Sequence, residues 1–104
     1  MDRNLLLQRI KDVLQPAFGD RFRGVVLYGS EARGTAGADS DVDVLVLLTG
    51  PIQVGKDISA TTRAIYPLML EMDRIIDATP ADIHHYEDEL APLYRNAKRE
   101  GIRA

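Results

Sequence analysis

The sequence contains no cysteine and no tryptophan, and aromatic residues make up only 6 % of its 104 positions. The absence of cysteine excludes disulfides, thiolate metal sites and a cysteine nucleophile. The scattered aromatic residues do not suggest a stacking platform for single-stranded nucleic acid. A metal ion would therefore be held by oxygen ligands or by the pair His84-His85, which makes carboxylates the first groups to consider.

A strong charge of one sign and a long apolar run are also missing. The formal net charge is −3 and 45 % of the residues are apolar, which is typical of a globular domain. The apolar run Leu5-Leu6-Leu7 is interrupted at once by Gln8 and Arg9. We therefore expect no secretory signal, no membrane contact and a cytoplasmic location. The mild negative charge argues against non-specific binding along a nucleic acid.

Hydrophobic periodicity predicts one small domain over residues 1–104 with alternating helices and strands. Pro16 is expected to stop the first helix, and Gly101 to end the last. The fold class is α/β or α+β, with a mixed sheet of about three or four strands and helices packed on it. The predicted elements are a helix over 2–15, a strand over 24–28, a helical turn over 30–33, a strand over 41–48, a helix over 53–72, a strand over 74–79, a partly helical connection over 82–89 and a helix from Pro92.

Two acids, Asp41 and Asp43, stand at the start of the apolar strand over 41–48. Residues two apart in a strand point to the same face, about 7 Å apart at their Cα atoms. Their like charges are costly beside an apolar strand unless a cation neutralises them. Mg²⁺ takes one or two protein carboxylates and leaves its other positions to water and phosphate, so the pair predicts a Mg²⁺-bound phosphate ligand.

The residues that follow the preceding strand favour phosphate binding. Gly29 lets a phosphate approach the backbone, and Ser30 offers a hydroxyl and an N–H at a helix start. Arg33 is placed to offset phosphate charge, or else to form a surface pair with Glu31 or Asp39. Ser40 either supports the acids by hydrogen bonding or simply ends the loop.

Gly29-Ser30, a loop of ten residues and then Asp41-Val42-Asp43 form a combined pattern. The pattern, with apolar strands on both sides of it, resembles the minimal stand-alone nucleotidyltransferases of the polymerase-beta-like superfamily. The resemblance covers nearly the whole chain and implies a nucleotidyltransferase-like fold. It implies that Asp41 and Asp43 hold one or two Mg²⁺ ions. From the residues themselves we expect Gly29, Ser30, Arg33 and Ser40 to contact ATP or another nucleoside triphosphate, with the alternatives given above for Arg33 and Ser40.

The resemblance also implies a third carboxylate, which helps to hold the metal and accepts a proton. We favour Asp77 over Asp73, because Asp77 is flanked by apolar residues within the third strand; the open alternative is that Asp77 only keeps an edge strand soluble. The implied reaction moves a nucleoside monophosphate to a hydroxyl on a protein or an RNA end. Small relatives suggest an antitoxin role beside a HEPN-type toxin, with a homo-oligomer as a further expectation.

Other interpretations remain open from the sequence. If the third acid does not act, the chain is a nucleotide-binding module that works by forming a complex with a partner protein. A two-metal nuclease would need more acidic or histidine ligands than the sequence offers. His84 and His85 are adjacent and so diverge, which indicates surface residues rather than a metal site.

Overall fold

The computed structural model of the protein describes residues 2–37 and 40–104. A 3₁₀ turn, Gly19–Arg21, follows the first helix. The helices are α1 Arg3–Phe18, α2 Gly29–Arg33, α3 Val54–Met72, α4 Ile83–Glu87 and α5 Pro92–Glu100; the strands are β1 Phe22–Tyr28, β2 Val42–Leu48, β3 Ile76–Asp82 and β4 Ile102–Arg103. The mixed α+β fold with a small sheet confirms the predicted fold class.

The four strands form one mixed sheet in the order β3-β2-β1-β4. β2 pairs in parallel with β3, and antiparallel with β1. The β2 start, the β3 start and the β1 end therefore meet at one end of the sheet. In this register Asp43 lies between Tyr28 on β1 and Asp77 on β3.

Helices cover both faces of the sheet, which explains why β2 is apolar on both sides. One face packs against α1 and α3 through residues such as Val44, Val46 and Ile65. The other face packs against α4 and α5 through Leu45 and Leu47. None of the helices in the described part of the chain is long and apolar enough to cross a membrane.

The first helix does not stop at Pro16, and that prediction is wrong. Proline removes one backbone hydrogen bond near the end of the helix, yet α1 continues to Phe18, whose side chain packs against the core. The helix ends at Gly19, which has a φ of 57°. At the other end the Asp2 carboxylate accepts a hydrogen bond from the Leu5 N–H and caps the helix.

The third strand begins and ends later than predicted, and a short fourth strand was not predicted. α3 runs to Met72 and ends on Asp73, which adopts a left-handed conformation, so the chain enters β3 only at Ile76. β3 includes Pro80, which an edge strand tolerates because its outer side needs no N–H donor. The two-residue β4 was missed because so short a segment carries no periodicity.

Candidate active site

The two acids of the Asp41-Val42-Asp43 motif lie at the start of β2. Asp41 immediately precedes the strand and Asp43 is its second residue. Leu45 and Leu47 follow on the same face and are fully buried, whereas Asp43 is partly buried and Asp41 is exposed. The face that α4 and α5 cover thus opens to solvent at this end of β2, where both carboxylates lie.

The third predicted acid, Asp77, is the direct neighbour of Asp43 on β3. Adjacent strands lie about 4.8 Å apart, and Ala81, four residues after Asp77, packs in the α4 and α5 cluster. Asp77 therefore faces the same side of the sheet as Asp43. Asp73 caps the end of α3 and lies outside the strand, so the structure brings Asp77, and not Asp73, next to Asp43.

Burial and repulsion by like charges both act on the ionisation of this group. Burial raises the pKa of Asp43 most, Asp77 and Asp41 raise it further, and the positive charge of Arg33 lowers it. Burial, followed by repulsion from Asp43 and Asp77, raises the pKa of Tyr28 to about 12. Asp43 therefore lies in an environment that disfavours its charge, and a bound cation would relieve that cost.

Gly29 is required where it stands for two separate reasons. Its φ is 73°, a left-handed conformation that side-chain-bearing residues rarely adopt. A Cβ atom at this position would lie 2.6 Å from Oδ2 of Asp43. The glycine thus lets the start of α2 approach the carboxylate more closely than any other residue would allow.

Ser30 follows Gly29 in α2, and a tight turn fixes the end of that helix. The Thr35 N–H donates to the Ser30 carbonyl at 3.0 Å, and Gly34 ends the helix with a φ of 75°. This hydrogen bond fixes the Ser30 backbone beside Gly29, the residue that approaches Asp43.

Arg33 forms an exposed ion pair with Glu100, with Nη1 and Oε2 3.5 Å apart. Such a pair contributes little to stability. The predicted alternatives were pairs with Glu31 or Asp39; Glu31 pairs instead with Arg74, and Asp39 lies outside the described residues. The positive charge of Arg33 also lowers the pKa of Asp43, although less than burial and the neighbouring acids raise it.

Ser40 closes the loop before the acids. Its hydroxyl oxygen accepts a hydrogen bond from the Gly37 N–H at 3.0 Å, and its own N–H donates to the Gly37 carbonyl at 3.2 Å. Within the part of the chain that the structure describes, these contacts fit the loop-ending alternative better than support of the acids.

Two residues that the sequence patterns did not select connect the parts of the site. Arg74 donates from Nη2 to the Ser40 carbonyl at 2.8 Å and forms an ion pair with Glu31 at 2.5 Å. Tyr28 was also missed as a neighbour of the acids. Arg74 reaches Glu31 and Ser40 only through the pairing of distant segments, so no local pattern could have indicated it. Tyr28 ends β1 directly before Gly29, so the alternation of that strand could have indicated its position.

Comparison with known proteins identifies the family of the chain. Residues 7–100 match the nucleotidyltransferase domain family. The chain belongs to this family. None of the curated proteins matches the chain by sequence.

Solved structures share the fold of this nucleotidyltransferase domain. The crystal structure of a toxin–antitoxin with AMP-PNP has a TM-score of 0.66 and 20 % identity, over 92 % of this chain and 69 % of the other. A putative nucleotidyltransferase from Sulfolobus solfataricus has a TM-score of 0.64 and 17 % identity, over 96 % and 79 %. A mutant of the toxin–antitoxin MntA–HpeT has a TM-score of 0.65 and 17 % identity, over 99 % and 72 %.

The nucleotidyltransferase domain offers hard oxygen donors at this site, and these suit Mg²⁺. The raised pKa of Asp43, caused partly by the neighbouring acids, also fits a bound cation. Within residues 2–37 and 40–104, no three acidic or histidine side chains are yet arranged to hold one ion. The carboxylates would therefore have to turn toward a shared ion.

The two histidines lie on α4, which begins at the opposite end of β3 from Asp77. His84 and His85 are both exposed on α4, as predicted. His85 lies 3.9 Å from a carboxylate oxygen of Asp82, which also caps α4 by accepting a hydrogen bond from the His84 N–H. Asp82 thus caps the start of α4, with His84 and His85 exposed beside it.

Proposed function

We propose that this nucleotidyltransferase domain transfers a nucleoside monophosphate from ATP, or from another nucleoside triphosphate, to a hydroxyl group on a protein or an RNA end. The observation that carries the proposal is the close approach of Gly29 to the Asp43 carboxylate. It joins the Gly-Ser start of α2 to a set of acids whose charges are not balanced. A phosphate chain with its metal ion is the ligand that suits both halves.

In the proposed complex, the triphosphate lies between α2 and the starts of β2 and β3. Ser30 would contact it with its hydroxyl and N–H, Arg33 would offset its charge after leaving Glu100, and Ser40 would line the loop beside it. Asp41, Asp43 and Asp77 would hold one or two Mg²⁺ ions. When bound, Mg²⁺ supplies positive charge that neutralises the phosphate oxygens and polarises the α-phosphate.

The reaction forms a bond between the acceptor oxygen and the α-phosphorus and breaks the bond from that phosphorus to the oxygen that bridges to the β-phosphate. Pyrophosphate leaves with the bonding electron pair. Asp77 accepts the proton of the attacking hydroxyl, since its side chain is exposed on the open face and an acceptor can reach it.

For the biological role, we propose that the chain is the antitoxin of a toxin–antitoxin pair, with a HEPN-type toxin as its protein partner and acceptor. Structures of toxin–antitoxin proteins share its fold, and one of them was solved with the nucleotide analogue AMP-PNP. An RNA end is the other acceptor that the same chemistry allows.

A second candidate function is a nucleotide-binding module that forms a complex without turnover. The observation that favours it is the absence, among the described residues, of three carboxylates arranged around one ion. Asp77 would then serve only the solubility of the edge strand.

Replacing Asp77 by asparagine separates these two functions. With ATP labelled at the α-phosphate, co-purified partner protein and total RNA as acceptors, Asp77→Asn should lower label transfer at least about 100-fold while the Kd of MgATP changes little. Asp73→Asn is the matched control and should transfer label at the wild-type rate. Equal transfer by wild type and Asp77→Asn would remove Asp77 from the reaction; MgATP binding without transfer by wild type would favour the binding module.

A further inference from the structure

Arg74 occupies a position that links the two halves of the candidate site. It lies between the end of α3 and the start of β3, and its side chain is 20 % exposed. Its nitrogen Nη2 contacts both Glu31, at 2.5 Å, and the Ser40 carbonyl, at 2.8 Å. Glu31 directly follows Ser30, and Ser40 directly precedes Asp41. One guanidinium group therefore contacts the sequence neighbour of Ser30 in one half of the site and the sequence neighbour of Asp41 in the other.

Both side chains of this ion pair are largely shielded from water. The Glu31 side chain is 16 % exposed, so the ion pair is only weakly screened by water. The start of β2 is fixed by a second bond from the same segment, in which the Val42 N–H donates to the Ile75 carbonyl at 2.9 Å. Arg74 and Ile75 together anchor the peptide that leads into Asp41.

We propose that Arg74 is a positioning residue, which sets the separation between Ser30 and Asp41 so that one MgATP can contact both. The inference rests on the proposed function. Without the Arg74 guanidinium, the loop between α2 and β2 would lose the side-chain contacts that tie Glu31 and Ser40 to the segment before β3, and the backbone bonds of Thr35 and Val42 would open more often. The two halves could then move apart, and displacements near 1 Å in such sites cost about 100-fold in rate.

The test compares Arg74→Met with a matched control, Arg9→Met. Arg9 forms an ion pair with Glu71 that is also 2.5 Å long, but this pair is exposed and joins α1 to α3. Calorimetry should show MgATP binding at least about tenfold weaker for Arg74→Met and unchanged for Arg9→Met. Arg74→Lys should recover much of the affinity, since a single nitrogen makes both contacts and a lysine carries one nitrogen near that place.

Arg74→Met leaves the Glu31 charge without its partner, and this could unfold the protein. The double variant Glu31→Gln/Arg74→Met removes that charge and should fold, yet it should show the same loss of affinity. Hydrogen exchange gives a second readout: peptides that contain the Thr35 and Val42 amides should exchange faster in the Arg74 variants and at the wild-type rate in Arg9→Met.

The outcomes separate this inference from the proposed function. If wild type binds MgATP and the folded Arg74 variants bind it equally well, Arg74 is not a positioning residue. If wild type does not bind MgATP, the proposed function fails, and exchange then decides about Arg74 alone. Unchanged exchange in the Arg74 variants would overturn the inference in either case.

Discussion

The carboxylates near the two ends of strand β2 have pKa values shifted in opposite directions. At its start, burial and two neighbouring acids raise the pKa of Asp43. Beyond its end, Asp57 is buried with a side chain only 2 % exposed, and hydrogen bonds from Arg21, at 2.9 and 3.0 Å, lower its pKa. The first carboxylate has no dedicated cationic partner among the described residues, and the second has an ideal one.

The difference shows what each end contributes. Arg21 also donates to the carbonyls of Thr49 and Pro51, and the Gln53 N–H donates to Asp57, so this end fixes the connection from β2 to α3. The start of β2 lacks such contacts, and we propose that its acids serve a ligand instead. Unsatisfied charge in a partly buried cleft is typical of a functional site.

Removing the paired carboxylate should have the largest effect on folding. Asp57→Ala leaves Arg21 without its partner and the Gln53 N–H without its acceptor, and should lower the free energy of unfolding by about 3 kcal/mol. Urea denaturation measures the change. Glu71→Ala, which breaks the exposed pair with Arg9, is the control and should change stability far less. An equal loss in both variants would contradict a special role for Asp57.

Adding a side chain at Gly29, beside the unpaired carboxylate of Asp43, should cost less stability than Asp57→Ala but disrupt ligand binding. Gly29→Ala places a Cβ against Asp43 and forces a left-handed alanine, at a total cost of about 2 kcal/mol, and MgATP binding should be lost. Gly34→Ala is closely matched, because Gly34 has a φ of 75° and no atom within 4 Å of the added Cβ. Gly34→Ala should lose only the stability that a left-handed alanine costs, and it should keep MgATP binding. Equal effects of the two variants would argue against the contact with Asp43.

Removing the unpaired charge should have the smallest effect and the opposite sign. Asp43→Asn relieves repulsion by Asp77 and Asp41, and should raise the free energy of unfolding of the ligand-free protein by about 0.5 kcal/mol at pH 7. MgATP binding should be abolished in the same variant. A loss of stability in Asp43→Asn would show that the carboxylate is satisfied in the native protein.

The pH dependence of the same variants sharpens the contrast. Because the folded-state pKa of Asp43 is raised, its penalty is present at neutral pH and disappears as the pH falls through that pKa toward the unfolded value of about 3.9. The lowered pKa of Asp57 works in reverse: its stabilisation is present above about pH 4 and is lost as the pH falls through the lower folded value. The gain in Asp43→Asn should therefore vanish first on acidification, and the loss in Asp57→Ala later. Denaturation at pH 7, 5 and 3 would show the order.

The sequence was sufficient for the local parts of this account. Gly29, Ser30, Asp41 and Asp43 follow from glycine chemistry and strand alternation, which depend on a few neighbouring residues. The sheet and its covering helices follow from periodicity. Their roles as ligand-binding residues stay predictions.

The parts that were missed depend on pairing between distant segments. Arg74 meets Glu31 across 43 positions of the sequence, and Arg21 meets Asp57 across 36; no local rule links such pairs. The choice of Asp77 over Asp73 depended on where β3 begins, and the structure placed that start at Ile76 because α3 ends on a left-handed Asp73. The extension of α1 past Pro16 reflects packing by Phe18, which outweighs local preference.

The most direct test of the central claim is a calorimetric titration of ATP with Mg²⁺ into the wild-type protein and the Asp41→Asn/Asp43→Asn variant. Both substitutions keep the size of the side chain, and the variant should remain folded. We predict saturable binding to wild type and no measurable binding to the variant, which would locate the triphosphate at the acidic start of β2. Binding of equal affinity to both proteins, or to neither, would contradict the account.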